Sequence, residues 1–210
     1  MKNLPKFYNS LKEIEKEIYS SLNKGVKDRE SNFHKAVLAT INLENKPEVR
    51  TVVVRNFEKK KFALSIHTDF RAKKVLELNN NNNVSLLFYD EEKKIQLRIR
   101  GWAQVHKSEK KSWNKLSNWS KRCYLTNISP GVHSDKPTSG FPKKHSLHPP
   151  NENEASVGLE NFCLINVWFN QIEWLYLASQ GHRRAIFNIL RNAHNEFNNV
   201  KKIEGKWLIP

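Results

Sequence analysis

Apolar residues near the start of the chain recur every three or four positions. Leu4, Phe7, Leu11, Ile14, Ile18 and Leu22 follow this spacing, with Lys and Glu between them. The pattern predicts an amphipathic helix over residues 5–24, with Gly25 as its C-terminal cap and a short polar linker after it.

Shorter segments rich in β-branched and aromatic residues follow this helix, and they are typical of strands. Asp69 suits the N-cap of a short helix over residues 70–79, and a second helix is expected over residues 108–120. Together they predict a mainly β protein with helices (α+β), most simply a closed antiparallel barrel. The predicted strands are 36–43, 49–57, 62–68, 84–89, 95–106, 162–169, 172–177 and 184–190.

Residues 127–160 differ from the rest of the chain. They contain most of the prolines, several Ser and His, and little apolar periodicity. This composition predicts a long loop that could serve as a lid. With 210 residues, the chain is expected to form one domain over 1–210, with its N-terminal helix within 1–25.

The charge balance narrows the possible partners. The chain has 36 Lys and Arg against 21 Asp and Glu, a net charge of +15. Such an excess predicts an anionic partner, either nucleic acid, a phosphate-bearing ligand or an anionic membrane, although a Lys- and Asn-rich coding bias also produces it. Two cysteines without CxxC spacing argue against a metal site or a disulfide framework.

The same composition gives an expected location. No apolar segment reaches the roughly 18–20 residues that span a bilayer, so no membrane partner is expected. The N-terminus lacks the apolar core of a signal peptide. We therefore expect a reduced, cytoplasmic protein.

Candidate chemistry begins with Arg50 and Arg55, which point to opposite faces of one predicted strand. Arg50 shares its face with Val52 and Val54, and a charge at the end of a buried face requires an anionic partner. A phosphate suits the guanidinium fork through bidentate charge-assisted bonds. A solvated strand end is the competing interpretation.

A second cluster spans residues 67–74, where a strand gives way to a helix. Thr68 offers a hydroxyl, and Arg71, Lys73 and Lys74 offer positive charge beside a helix N-terminus. A helix dipole disfavours cations at this end, and a bound phosphate would remove the conflict. Ordinary surface charge is the alternative.

Two further groups are weaker signals. Gln96, Arg98 and Arg100 share one strand face, which is usually a solvent-facing pattern, although the Gln amide could both donate to and accept from the edge of a ligand ring. His182 and Arg184 also share a strand face and suit a phosphate or carboxylate. Exposed basic residues would explain the second group equally well.

Taken together, these segments resemble the pyridoxamine 5'-phosphate oxidase family of FMN-binding split barrels. The resemblance covers roughly residues 33–210, and no single motif decides it, but several occur in register. The matching segments are Arg50-Thr51-Val52-Val53-Val54-Arg55, His67-Thr68, Ala72-Lys73-Lys74, Gln96 five residues before Gly101, Gln171-Ile172-Glu173-Trp174 and His182-Arg183-Arg184.

The resemblance implies a six-stranded split barrel that forms a homodimer, with FMN at the interface between subunits. It implies that Arg50, Lys73 and Lys74 hold the phosphate, that Gln96 and Arg184 reach FMN from the other subunit, and that His182 and Arg184 are the catalytic candidates. The implied cofactor-binding set is Arg50, Thr51, Val52, Val53, Arg55, His67, Thr68, Lys73, Lys74, Gln96, Trp174 and Arg184.

Departures from the family pattern fall mostly at substrate positions. Gln180 stands where the family has an Arg that grips the substrate, Arg55 replaces a Lys, and Trp174 is one residue out of register. The favoured hypothesis is therefore an FMN-dependent oxidoreductase for a small phosphorylated or otherwise anionic molecule. A non-catalytic FMN carrier or sensor is the first alternative. A basic barrel that stacks single-stranded nucleic acid on Trp102, Trp113 and Trp119 ranks last.

Overall fold

A computed structural model describes residues 4–191 and 200–210 of the chain. Within them, eight strands surround an apolar core, and five α-helices lie between or before the strands. The helices are α1 (Leu11–Lys27), α2 (Lys73–Asn80), α3 (Lys110–Trp113), α4 (Asn118–Lys121) and α5 (Glu152–Ser156). The strands are β1 (Lys35–Ile41), β2 (Pro47–Glu58), β3 (Ala63–Asp69), β4 (Asn83–Asp90), β5 (Ile95–Lys107), β6 (Phe162–Tyr176), β7 (Arg183–Leu190) and β8 (Lys202–Leu208).

The strands form one antiparallel sheet in the order β3-β2-β1-β4-β5-β6-β7-β8. Because β3 also pairs with β6, the first six strands close into a barrel, and β7 and β8 extend from it as a separate wing. The predicted closed barrel with accessory helices is confirmed, and closure leaves the barrel without the free edges that promote aggregation.

Strand β6 belongs to both parts of the sheet. Its first half pairs with β3 from Phe162 to Trp168, and its second half pairs with β7 from Gln171 to Tyr176. The two predicted strands 162–169 and 172–177 are therefore one strand, and their separation was wrong. A bulge at Asn170 changes which side chains face the core, and a Cβ on Gly101 opposite it would lie 1.8 Å from the Trp168 carbonyl oxygen.

Helix α1 packs its apolar stripe onto the barrel. Ser10 caps it by accepting a bond from the Glu13 N–H, and Ile14, Ile18 and Leu22 are buried in the main core. The helix ends at Lys27, so the predicted cap at Gly25 was wrong. Gly25 lies inside the helix, and glycine is needed there because a Cβ would lie 2.1 Å from the Phe33 carbonyl oxygen.

The other helices are shorter than predicted. Helix α2 begins at Lys73 rather than residue 70, and Asp69 does not cap it, because its carboxylate accepts bonds from the Arg71 backbone and guanidinium. The predicted helix over 108–120 is interrupted between α3 and α4. None of the described helices is long and apolar enough to cross a bilayer.

Segment 127–160 is irregular apart from α5 and short 3₁₀ turns, as predicted. Arg122 connects it to the α4 region: the guanidinium carbon lies 4.5 and 4.4 Å from the ring centres of Trp119 and Phe141. The same group donates a 2.7 Å bond to the His145 carbonyl oxygen. A lid function for the segment stays a prediction.

Candidate functional site

Three of the predicted phosphate ligands gather where β2, β3 and α2 meet, and we call Arg50, Thr68 and Lys74 the cationic cradle. Lys74 Nζ donates a 3.1 Å bond to Thr68 Oγ1. Arg50 Nη2 donates a 2.7 Å bond to Glu77 Oε2 on α2, and Arg50 Nη1 donates to Thr40 Oγ1. Two cations and a hydroxyl thus lie beside the first turn of a helix, as a phosphate requires.

Electrostatics in the cradle favour an added anion. Burial lowers the pKa of Lys74, and the nearby Arg50 guanidinium lowers it further. Glu77 compensates this charge only in part, with a side chain that is 7% exposed and also accepts a 2.5 Å bond from Thr40. Glu77 was absent from the predicted site. A carboxylate one helical turn after Lys74 is its only sequence signal.

Arg55 and His67 line a different feature, a cavity of about 640 Å³ on the outside of the barrel, which we call the outer cavity. Strands β2, β3 and β6 form its floor, and the segment around α3 forms a wall. Its polar and charged lining comprises Arg55, Asn56, Glu58, Lys61, Ser65, His67, Glu109, Lys111, Ser112, Lys115 and Asn166.

The outer cavity carries four cations and two carboxylates. Within residues 4–191 and 200–210, Arg55, Lys61, Lys111 and Lys115 form no ion pair through their side chains. Burial lowers the pKa of His67 to about 4, with a smaller contribution from Arg55. The imidazole is therefore neutral at physiological pH, and its buried Nδ1 has no hydrogen-bond partner in the described chain.

The remaining predicted polar residues lie on the outer face of β5, β6 and β7. Arg184 donates to Glu173 Oε1 from Nη2 at 2.8 Å and from Nε at 3.1 Å, and Arg98 donates to Glu173 Oε2. Gln96 lies on the same face of β5, two residues before Arg98. The sequence groups Arg98 with Gln96 and places Glu173 in a matching segment, but neither residue belongs to the predicted cofactor-binding set.

His182 and Arg184 border a groove of about 310 Å³ together with Asn9, Trp207 and Pro210. His182 is exposed, and its Nδ1 accepts a 3.1 Å bond from the Ala178 N–H. The structure therefore places both catalytic candidates at one surface, on the wing formed by β7 and β8.

Other predicted residues are spread over several environments. Thr51 and Lys73 are exposed, and Val52 and Val53 are half-buried on β2. Trp174 is fully buried in the main core, with its ring 5.3 Å from Phe7. A side chain at that position has no surface from which to contact a ligand.

Comparison with known proteins agrees with this geometry. Residues 15–107 match the family model for the FMN-binding domain of pyridoxamine 5'-phosphate oxidase. Pyridoxine/pyridoxamine 5'-phosphate oxidase 2 of Arabidopsis thaliana is 26% identical over 161 residues, which are 76% of this chain and 80% of the relative.

Two solved structures share the fold. A pyridoxamine 5'-phosphate oxidase-related, FMN-binding protein of Nostoc punctiforme superposes with a TM-score of 0.70 at 20% identity, covering 93% of this chain and 96% of the other. PhzG of Burkholderia lata, solved with tetrahydrophenazine-1-carboxylic acid, superposes with a TM-score of 0.68 at 16% identity, covering 100% and 99%. Residues 15–107 are therefore similar to the FMN-binding domain of pyridoxamine 5'-phosphate oxidase, the fold is that of FMN-binding split barrels, and the comparisons indicate FMN as the cofactor.

Proposed function

We propose that this protein is an FMN-dependent oxidoreductase that acts on a small anionic molecule. FMN supplies the hydride or electron chemistry, and the protein supplies binding, orientation and a shielded surface. The observation that carries the proposal is the cationic cradle, where Arg50, Thr68 and Lys74 combine two cations with a hydroxyl at a helix start.

In this proposal the cradle holds the FMN phosphate, and the exposed Lys73 adds long-range attraction. Arg50 and Lys74 approach each other closely enough to lower the pKa of Lys74, and a phosphate between them would relieve that repulsion. The β2 segment Thr51–Val53 and His67 on β3 line the path of the cofactor away from the cradle. Trp174 is excluded from the proposed set because it is buried.

The substrate is proposed to enter the outer cavity, because that cavity has four cations against two carboxylates and its cations form no ion pair among the described residues. Arg55 and His67 belong to β2 and β3, the strands that also carry Arg50 and Thr68. The neutral imidazole of His67 can exchange a hydrogen bond with a substrate without adding charge. An anionic group on the substrate would then pair with Arg55 or a cavity lysine.

A homodimer is part of the proposal. Val37 on β1 is the cross-strand neighbour of Leu87 on β4 and of Thr51 on β2, and both apolar side chains are exposed. Val49 and Tyr89 extend this exposed outer face. A second copy would cover it and bring Gln96 and Arg184 to the FMN of the first copy. Light scattering that finds a monomer with tightly bound FMN would reject these cross-subunit roles.

The test of the cofactor role compares FMN with riboflavin. The purified protein is expected to be yellow, to bind about one FMN per subunit, and to bind riboflavin far more weakly because riboflavin lacks the phosphate. Titration of apoprotein by flavin fluorescence measures both affinities. Equal affinities would reject the cradle as a phosphate site.

Substrate choice is tested with pyridoxamine 5'-phosphate. Gln180, exposed on the turn before β7, lacks the charge of the family's arginine, and one charge-assisted bond contributes roughly 1.5–3 kcal/mol. We expect weak or absent oxidation of this compound, and Gln180→Arg should raise kcat/KM on the order of tenfold. Efficient turnover by the unmodified protein would contradict the assignment of a different substrate.

A non-catalytic FMN carrier or sensor is the second candidate. The presence of Gln180 where the family has an arginine that grips the substrate favours it. The test measures how fast a panel of anionic electron donors reduces the bound FMN. If the protein binds FMN stoichiometrically but none of these donors reduces it above the background rate, the carrier or sensor is supported over the oxidoreductase. A cytoplasmic location and the single-domain organisation also stay proposals. Cell fractionation and limited proteolysis, respectively, would test them.

A further inference from the structure

Glu173 is a buried carboxylate placed between two guanidinium groups that belong to neighbouring strands. Its side chain is 9% exposed, whereas those of Arg98 and Arg184 are 37% and 31% exposed. Each carboxylate oxygen has its own arginine, since Oε2 accepts from Arg98 and Oε1 accepts twice from Arg184. The anion therefore lies beneath two cations that reach the surface.

The cluster is not electrically balanced. One carboxylate against two guanidinium groups leaves a net charge of +1, and Arg98 Nε is a buried donor without a hydrogen-bond partner among the described residues. An unsatisfied buried donor is unfavourable, so both features favour an additional acceptor near this cluster. Without Glu173, the two cations would repel each other and move apart.

Its position connects the cluster to the proposed subunit interface. Arg98 is the cross-strand neighbour of Leu87 on β4 and of Glu173 on β6, and Leu87 is in turn the neighbour of Val37 on β1. The cluster thus continues the row of outward-facing side chains that includes the exposed Val37 and Leu87 of the proposed dimer interface. A second copy that covered these two residues would also meet the arginines.

We propose that Glu173 is a positioning residue, whose carboxylate holds Arg98 and Arg184 as a pair that contacts the FMN bound by a second copy of the chain. This inference rests on the proposed function, and it adds Arg98 and Glu173 to the functional set. Glu173 does not contact FMN itself. It fixes the direction of the two guanidinium groups so that little side-chain entropy is lost when FMN binds.

A double-mutant cycle on FMN affinity tests this role. Glu173→Gln keeps the shape but removes the charge, and it is expected to weaken FMN binding to apoprotein about tenfold, since both guanidinium groups lose their shared anchor. In an Arg184→Met background, the further loss from Glu173→Gln is expected to be clearly smaller, about threefold, because only Arg98 is left for Glu173 to hold. Fluorescence titration gives all four dissociation constants.

A merely structural role for Glu173 predicts a different result. The losses from Glu173→Gln and Arg184→Met would then multiply in the double variant, and that outcome overturns the proposal. The control is Glu204→Gln, which also removes a carboxylate from an ion pair, the 2.7 Å pair with Lys202 on β8. The Glu204→Gln protein should bind FMN with wild-type affinity. Wild-type protein that fails to bind FMN would instead reject the proposed function and this inference with it.

Poor folding of Glu173→Gln is addressed by a second variant. Arg98→Met with Glu173→Gln removes one cation and the anion together, which avoids leaving two uncompensated guanidinium groups. This variant is expected to melt close to the wild-type temperature and to bind FMN at least tenfold more weakly, because Arg184 is no longer held. Wild-type affinity in this variant overturns the proposal.

Discussion

The cationic cradle and the outer cavity both concentrate positive charge, but they differ in whether their cations have side-chain partners within the described chain. Arg50 in the cradle is paired with a buried carboxylate of the same chain, and Lys74 is bonded to Thr68. The cavity cations Arg55, Lys61, Lys111 and Lys115 have no ion pair in the described residues. A site with internal partners is preorganised for one ligand, whereas a site with solvated cations accepts ligands that vary in shape.

The largest expected effect breaks the cradle's internal pair. Arg50→Met leaves Glu77 buried without its cation, which should cost about 3–5 kcal/mol of unfolding free energy. Chemical denaturation of the apoprotein measures the loss. Arg50→Met with Glu77→Gln should recover most of the stability but not FMN affinity, and recovery of both would contradict a phosphate role for Arg50.

Removing the cradle's second cation separates binding from stability. Lys74→Met should weaken FMN binding on the order of tenfold to a hundredfold through loss of a charge-assisted bond, and riboflavin binding should not change. Stability at neutral pH should stay level or rise, because the folded state lowers the pKa of Lys74 and so disfavours its charged form. Lys73→Met, at an exposed neighbouring residue, is the matched control and should have a smaller effect on FMN.

The outer cavity contributes a pH effect of its own. The pKa of His67 falls from 6.5 to about 4 on folding, so between these values the unfolded chain binds a proton that the folded chain does not. Apoprotein stability should therefore decrease as pH falls from 6.5 towards 4. Denaturation of His67→Asn across this range should show a shallower slope, and an NMR titration should place the His67 pKa near 4. A His67 pKa near 6.5 would mean that its surroundings are more hydrated.

The smallest stability effect is expected from the cavity lysines. Lys111→Ala with Lys115→Ala should change the unfolding free energy by no more than about 0.5 kcal/mol, because neither side chain has an ionic partner among the residues that the structure describes. Binding of pyridoxal 5'-phosphate, used as an anionic probe and followed by its absorbance, should weaken by on the order of tenfold. A stability loss as large as that of Arg50→Met would erase the contrast between the two regions.

The sequence predicted local features better than distant pairings. Alternating apolar residues were sufficient to locate the barrel strands, and two of the three cradle residues, Thr68 and Lys74, lie on either side of the β3–α2 junction. Glu77 and Glu173 could not be predicted as partners because they lie 27 and 75 residues from Arg50 and Arg98. Their pairing depends on the register of strands and on helix placement, which local patterns do not encode.

Errors in the predicted elements have similar causes. Gly25 and Asp69 have the residue types of helix caps, but the contact of Gly25 with Phe33 and the ion pair of Asp69 with Arg71 overrode these local preferences. Asn170 looked like a strand break, although it is a bulge within β6. The outer cavity was missed as a unit because its walls come from three separate parts of the chain.

The pairing of β6 with both β3 and β5 has a consequence for synthesis on the ribosome. Residues 63–69 must wait for a strand that begins at Phe162, about one hundred positions later, before the barrel can close. Such sequence-distant pairing is slow to form and leaves strand edges exposed in the meantime. A nascent chain that ended before β6 would contain every cradle residue but would lack the strand that pairs with the free edge of β3. The cofactor would therefore bind only late in synthesis, after β6 has emerged and the barrel has closed.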